Sequence, residues 1–217
     1  MSPILFTQIM KQFYDHGWVY GSSGGMACCT VNSVIYSPSS VQKERLKEED
    51  LFIFNKYSKS LTSRPKNENI KESACTPLFN QIINLTGLDC VIHTHSKYSN
   101  LLTQLLDTNP KYSGNIFEMS GQEMIKGIYN RRLGVNYQNT DIISIPIIDN
   151  KQLEYQLLPD VERCIINFPE SSCILVKNHG FFTFGPTWQR TKIMLECCEY
   201  LFELACDMIK NDLNLIQ

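Results

Sequence analysis

No window of this chain is apolar for the roughly 20 residues that a helix needs to cross a bilayer. The opening stretch MSPILFTQIMKQFYDHG has neither the basic start nor the long apolar core of a secretory signal. A soluble cytoplasmic protein that does not engage a membrane is therefore expected. Surplus charge is missing as well: 20 Lys and Arg stand against 22 Asp and Glu, and basic clusters such as Lys43-Glu44-Arg45 are interrupted by acids. That balance leaves no footprint for nucleic acid. There is no internal repeat and no break in composition, so 217 residues at 43% hydrophobic read as a single domain over residues 1–217. A disulfide framework is lacking too. The nine cysteines are odd in number, and the neighbours Cys28-Cys29 and Cys197-Cys198 cannot close relaxed bridges within each pair, which points to reduced thiols.

Histidine is scarce, with four in the chain, and three of the four stand where strands hand over to loops. His93 and His95 close the apolar run Val91-Ile92; alternation along a strand places residues i and i+2 on one face, so both imidazoles can aim at one point. His179-Gly180 ends a second apolar run, Ile174-Leu175-Val176, with the same local pattern. Three imidazoles converging in this way are the ligand count of a catalytic zinc, one ion per subunit. The fourth, His16, reads as the end of the first helix with Gly17 as its cap.

The hydrophobic pattern predicts an opening helix over about Ser2 to His16, extended runs over Cys28 to Tyr36 and Leu51 to Phe54, and a surface loop with short strand pieces from Tyr57 to Glu72. Helices follow from Thr76 to about Leu85 and from Lys97 to Leu106, with a buried strand over Asp89 to Thr94 between them. Ser120 opens a short helix; Ile142 to Ile148, Cys173 to Lys177 and Phe181 to Phe184 are strands; Thr187 opens a long closing helix. In that helix Thr191, Leu195, Cys198, Phe202, Ala205 and Ile209 form a core-facing stripe, which makes Cys197 and Cys198 packing residues rather than ligands.

Three further segments carry groups suited to an anion. Val19-Tyr20-Gly21-Ser22-Ser23-Gly24-Gly25-Met26-Ala27 is a glycine-rich turn whose amides can approach a phosphate closely. Ser37-Pro38-Ser39-Ser40-Val41-Gln42-Lys43 supplies hydroxyls and a lysine, and Ser73 and Cys75 precede a helix N-terminus, which favours negative charge. Each could equally be a cap or a turn. Glu123 is ambiguous in the same way. Ser120-Gly121-Gln122-Glu123 has the form of a capping box, yet a metal-dependent reaction also needs a proton carrier and no other carboxylate stands beside the histidines in sequence.

The segments GWVYGSSGGMA, SPSSVQKE, SACTPLF, VIHTHS, GQEMIKGI and LVKNHGFFTFGPTW occur in this order, and the chain resembles the methylthioribulose-1-phosphate dehydratase branch of the class II aldolase family over about Leu5 to Lys210. The resemblance implies a three-layer α/β/α fold around a central, mainly antiparallel sheet, assembled as a homotetramer with active sites between subunits. It implies zinc on His93, His95 and His179, an acid/base role for Glu123, and substrate contacts from Cys75 and Ser73. Gly24, Gly25, Ser39 and Ser40 fall in the other phosphate-approaching turns. Two departures stand out: Ser40 occupies the usual glycine of the second turn, and Ala74 and Cys75 stand where sugar-phosphate aldolases carry a glutamate after their paired serines.

The activity this implies is dehydration of the phosphorylated ketose 5-methylthioribulose 1-phosphate to 2,3-diketo-5-methylthiopentyl 1-phosphate, within methionine salvage. Glu123 would help expel the carbon 4 hydroxyl as water, and Cys75 would pack and orient substrate as a neutral thiol. A class II sugar-phosphate aldolase is the alternative, opposed by the missing glutamate. A non-enzymatic interaction module is a further one, opposed by the intact histidine set.

Overall fold

A computed structural model describes residues 1–112 and 114–217. Ser2 starts helix α1 (Pro3–Asp15) by accepting from the Leu5 amide at 3.3 Å, and Pro3 falls in the first turn, where no amide partner is needed. Phe6, Ile9, Met10 and Phe13 recur at helical spacing and bury one face, and Gly17 at φ +72° turns the chain away as expected. The extended run expected over Cys28 to Tyr36 is two strands, β1 (Gly25–Cys29) and β2 (Ser33–Tyr36). Thr30 reverses the chain between them by accepting from the Ser33 amide at 3.0 Å. Next come β3 (Phe52–Asn55) and β4 (Leu61–Ser63), the latter being the strand piece inside the polar loop.

Helix α2 (Thr76–Thr86), strand β5 (Cys90–Thr94) and helix α3 (Lys97–Thr108) follow as expected, α3 capped by Ser96. Strand β6 (Ile116–Met119) leads into a 3-10 turn over Glu123–Gly127, then a small hairpin of β7 (Tyr129–Asn130) and β8 (Val135–Asn136). After β9 (Ile143–Ile148), a 3-10 turn over Glu154–Leu157 runs directly into α4 (Leu158–Asn167). The sequence reading leaves α4 out. It is amphipathic over only ten residues and has no side-chain cap, yet it buries Val161, Cys164 and Ile165. Strands β10 (Cys173–Val176) and β11 (Gly180–Gly185) precede α5 (Trp188–Lys210), whose Thr187 cap accepts from the Arg190 amide.

Nine strands form one sheet in the order β4-β3-β2-β1-β5-β11-β10-β9-β6, antiparallel throughout except between β9 and β10. Alternation divides β5 between two cores: Cys90 and Ile92 pack with α1, α3 and α5 on one face, Val91 with α2 and α4 on the other. The architecture is the expected three-layer α/β/α with a mainly antiparallel sheet. All six residues of the α5 stripe are buried, and all nine cysteines are free and buried. No helix among the described residues is long and apolar enough to cross a membrane.

Two consequences of this topology position the chemistry. Strands β5, β10 and β9 run in the same direction, since β11 lies antiparallel between the first two and β9 pairs parallel with β10; their carboxyl ends therefore meet at one end of the sheet. Strand β6 runs the other way, with Met119 opposite Ile143 at the start of β9, so the chain leaves β6 at the far end.

Candidate metal centre

His93 is fully buried near the end of β5, on the α2/α4 face, where its ring stacks on Phe182 at 4.1 Å between centroids and 9° between planes. Thr94 turns to the opposite face, and His95 returns to that of His93. The amide of His95 donates to the Trp18 carbonyl at 2.8 Å, tying the strand end to the glycine-rich turn. His179 arrives from the tight turn between β10 and β11, where Asn178 takes φ +56° and Gly180 must lie against β5: a Cβ on Gly180 would sit 1.9 Å from the Thr94 carbonyl oxygen.

The Nε2 atoms of His93 and His95 are 2.9 Å apart, as are those of His95 and His179. Nδ1 of His93 donates to the Phe181 carbonyl and Nδ1 of His179 to Asn150 Oδ1, each at 3.0 Å. Those bonds place the ring protons on Nδ1 and leave the Nε2 lone pairs of both rings turned inward. Burial, before the mutual influence of the rings, holds His93 well below the ordinary imidazole pKa, lowers His95 to about 4 and lowers His179. Three neutral imidazoles therefore converge, with the Nε2 lone pairs of His93 and His179 both turned towards His95 Nε2, an arrangement that suits a cation. The donor set fits a metal ion.

The three anion-suited turns gather around this point. Lys43, fully buried, donates from Nζ to the carbonyls of Ser22 at 2.9 Å and of Pro38 and Val41 at 3.3 Å, and its amide donates to Gly21. The glycine turn and the serine turn are thereby clamped together. Ser39 N donates to the Lys71 carbonyl at 2.9 Å, which brings in the segment carrying Ser73 and Cys75. Gly24, at φ +66°, lies against the His93 carbonyl, which a Cβ would approach to 2.8 Å, and Gly25 packs as closely against Ser37. Ser40 takes φ +61°, so the turn keeps the left-handed backbone that glycine favours even though serine stands there. Cys75 N donates to Ser73 Oγ at 3.2 Å, and burial, then the nearby Glu154 carboxylate, raises the Cys75 thiol to about 12, so it stays protonated.

Glu123 lies elsewhere. It leads the 3-10 turn at the far end of the sheet, is 70% exposed in its side chain, and pairs with Lys126 Nζ at 2.8 Å. The capping box expected with Ser120 does not form: the turn starts at Glu123, so Gln122 takes the cap position. Ser120 Oγ instead donates to the Gln217 carbonyl and accepts from the Gln217 amide.

The carboxylate that does stand at the histidines is Glu154. Its Oε1 lies 3.7 Å from His179 Nε2, and it forms a compact group with Cys75 and His93, their ligating atoms within 4.8 Å of one another. Burial raises its pKa while contact with the Cys75 thiol lowers it. A cleft of about 540 Å³ opens beside it, lined among others by Ser73, Thr76, Asn80, Leu153 and Tyr155. The sequence reading passes over Glu154 and over Asn150. Both lie in the connection after β9, and the one signal available is that this connection leaves the carboxyl end of a strand running alongside β10.

Residues 5–206 match the family described as Class II Aldolase and Adducin N-terminal domain. A Caenorhabditis elegans protein named "Probable methylthioribulose-1-phosphate dehydratase" is 46% identical over 211 residues, covering 97% of this chain and 78% of its own length. The methylthioribulose-1-phosphate dehydratase of Bos taurus is 38% identical over 204 residues, covering 94% of this chain and 82% of its own. Among solved structures, an L-fuculose 1-phosphate aldolase superposes with a TM-score of 0.70 at 14% identity, over 99% of this chain and 88% of that one, a likeness of fold.

Proposed function

The chain belongs to the class II aldolase and adducin family, in its methylthioribulose-1-phosphate dehydratase branch, and from that footing we propose that it removes water from 5-methylthioribulose 1-phosphate. The product is 2,3-diketo-5-methylthiopentyl 1-phosphate, and the step belongs to methionine salvage in the cytoplasm. The observation that carries the reading is the convergence of three neutral imidazoles beside turns suited to a phosphate, in a chain 46% identical to a relative bearing that name.

His93, His95 and His179 would hold one zinc ion, because three converging neutral nitrogen donors are the protein ligand set of a catalytic zinc site. When bound, the cation supplies Lewis-acid polarisation of the substrate's carbon 2 carbonyl, which acidifies the proton on carbon 3. Asn150 and the Phe181 carbonyl keep two of the rings in the required tautomer and orientation. Gly24, Gly25, Ser39, Ser40 and Ser73 line the turns that receive the phosphate, with the Lys43 ammonium beneath them. Cys75, neutral and buried, packs against the substrate rather than attacking it.

Glu123 is assigned the proton delivered to the carbon 4 hydroxyl as it leaves; that hydroxyl and the carbon 3 proton together account for the water lost. Within one protomer Glu123 lies at the opposite end of the sheet from the histidines, so the assignment requires it to serve a neighbouring subunit in a homotetramer.

The test is product mass after incubation of metal-loaded protein with 5-methylthioribulose 1-phosphate, beside a chelator-treated sample. Metal-dependent loss of one water is expected; cleavage to shorter fragments would make the protein an aldolase. Mixing inactive Glu123→Gln and His95→Ala variants under conditions that exchange subunits should restore part of the turnover, since each supplies what the other lacks. Separately inactive variants that stay inactive when co-assembled would place Glu123 outside the chemistry of a shared site.

A further inference from the structure

We infer that Glu154 is the fourth protein donor of the metal centre, a carboxylate that stands on the metal while the site is free of substrate. The inference rests on the reading of His93, His95 and His179 as metal ligands. It adds a residue from a part of the chain that carries no recognisable motif.

Because Nδ1 of His179 is committed to Asn150, its Nε2 presents a lone pair, and the atom opposite it at 3.7 Å is Glu154 Oε1, itself an acceptor. Two acceptors held this close inside a half-buried site repel unless a cation lies between them. The other carboxylate oxygen, Oε2, is buried without a hydrogen-bond partner. Lys151, the cation nearest in the chain, pairs with Asp160 instead. Among the described residues the one favourable contact of Glu154 is the Cys75 thiol, so the carboxylate keeps an unpartnered oxygen and no cation beside it, on the side where the imidazole Nε2 atoms also converge.

Chain geometry makes the placement systematic. Asn150 and Glu154 belong to one connection, between β9 and the 3-10 turn that enters α4, so the segment that orients His179 also delivers the carboxylate to it. The loop before α2 offers Cys75, not a carboxylate, at this position, and the carboxylate that reaches the same point is Glu154. Unlike an imidazole held by a backbone carbonyl, it sits on a short turn at the edge of an open cleft, with 23% of its side chain exposed, which suits a ligand that gives way to substrate.

The experiment uses the full-length protein loaded with Co(II) in place of the native metal, without substrate, and reads both the visible spectrum and metal retention against a competing chelator. Glu154→Gln should alter the d–d bands and weaken retention about 10-fold or more, while Glu154→Asp, which keeps the charge, should recover part of both. Glu154→Gln with unchanged bands and unchanged retention overturns the inference. So does a sulfur-to-cobalt charge-transfer band in the unaltered protein that disappears in Cys75→Ala, because the fourth donor would then be the thiolate. His95→Ala separates the two levels: if it retains stoichiometric metal, the histidine reading itself has failed, whereas loss of metal there with an unaffected Glu154→Gln removes Glu154 alone.

Discussion

Thr94 Oγ1 donates a 3.1 Å hydrogen bond to Oε1 of Glu199, linking the strand that carries two of the histidines to a buried carboxyl group on α5. The threonine lies between His93 and His95 and faces the opposite side of the sheet, so this bond anchors the strand from behind. Burial raises the Glu199 pKa to about 8, with nearby Glu203 adding to the rise and the Ser96 and Thr94 hydroxyls opposing it. At neutral pH the folded protein therefore holds this carboxyl largely protonated, whereas an unfolded chain would ionise it near 4.5.

The sign of the linkage follows. A folded-state pKa above the unfolded one gives a contribution present in full below about pH 4.5 and lost progressively as pH rises through about 8. Thermal unfolding followed from pH 5 to 9 should show stability falling across that window. Glu199→Gln, neutral at every pH, should flatten the fall and raise the midpoint at pH 8 to 9. An unaltered slope in the variant would show that Glu199 is not its source.

Gly180→Ala tests how tightly the third histidine is set. The added methyl would meet backbone, the Thr94 carbonyl at 1.9 Å, so β11 must shift away from β5 and carry His179 with it. Overpacking of this kind costs about 1 to 3 kcal/mol, and a rigid backbone neighbour puts the cost at the upper end. The unfolding midpoint should drop and metal retention should weaken together; a variant equal to the parent in both would mean that the turn absorbs the methyl without moving His179.

The histidines were legible because strand alternation and the strand-to-loop pattern are local properties, readable from VIHTH and ILVKNHG alone. The three anion-suited turns could be identified singly, but their assembly depends on Lys43 reaching three carbonyls and on Ser39 pairing with Lys71, which are contacts between segments. Glu123 illustrates the limit most clearly. The order of residues places it after β6, but whether that puts it beside the histidines or at the far end depends on strand direction, and only the antiparallel pairing of β6 with β9 decides it. Glu154 escaped notice for the complementary reason. Nothing local marks it, and its neighbours Cys75 and His179 come from distant parts of the chain.

Ser40→Gly should stabilise the protein. Serine at φ +61° carries a steric cost of about 1 to 2 kcal/mol that glycine avoids, partly offset by the greater freedom of glycine in the unfolded chain at about 0.5 to 1 kcal/mol. The net expectation is a modest rise in unfolding midpoint, read by calorimetry. A fall would show that the Ser40 hydroxyl contributes more to the turn than its one contact with Ser39 Oγ at 3.4 Å suggests.

Lys43 separates a structural clamp from a simple surface charge. Its ammonium is fully buried and spends its donors on Ser22, Pro38 and Val41 carbonyls, and burial lowers its pKa to about 8. In Lys43→Met the hydrocarbon volume is kept while those carbonyls lose their shared donor, at about 1 to 3 kcal/mol for buried groups left unpaired. The glycine and serine turns would then be free to separate, so the Michaelis constant for a phosphorylated substrate should rise more than kcat falls. His93 and His179, oriented by the Phe181 carbonyl and Asn150 rather than by Lys43, should keep the metal in place. Steady-state kinetics on folded, metal-loaded Lys43→Met decides it: an unchanged Michaelis constant with intact stability would mean that the two turns hold their places without the lysine, and that phosphate recognition does not depend on keeping them together.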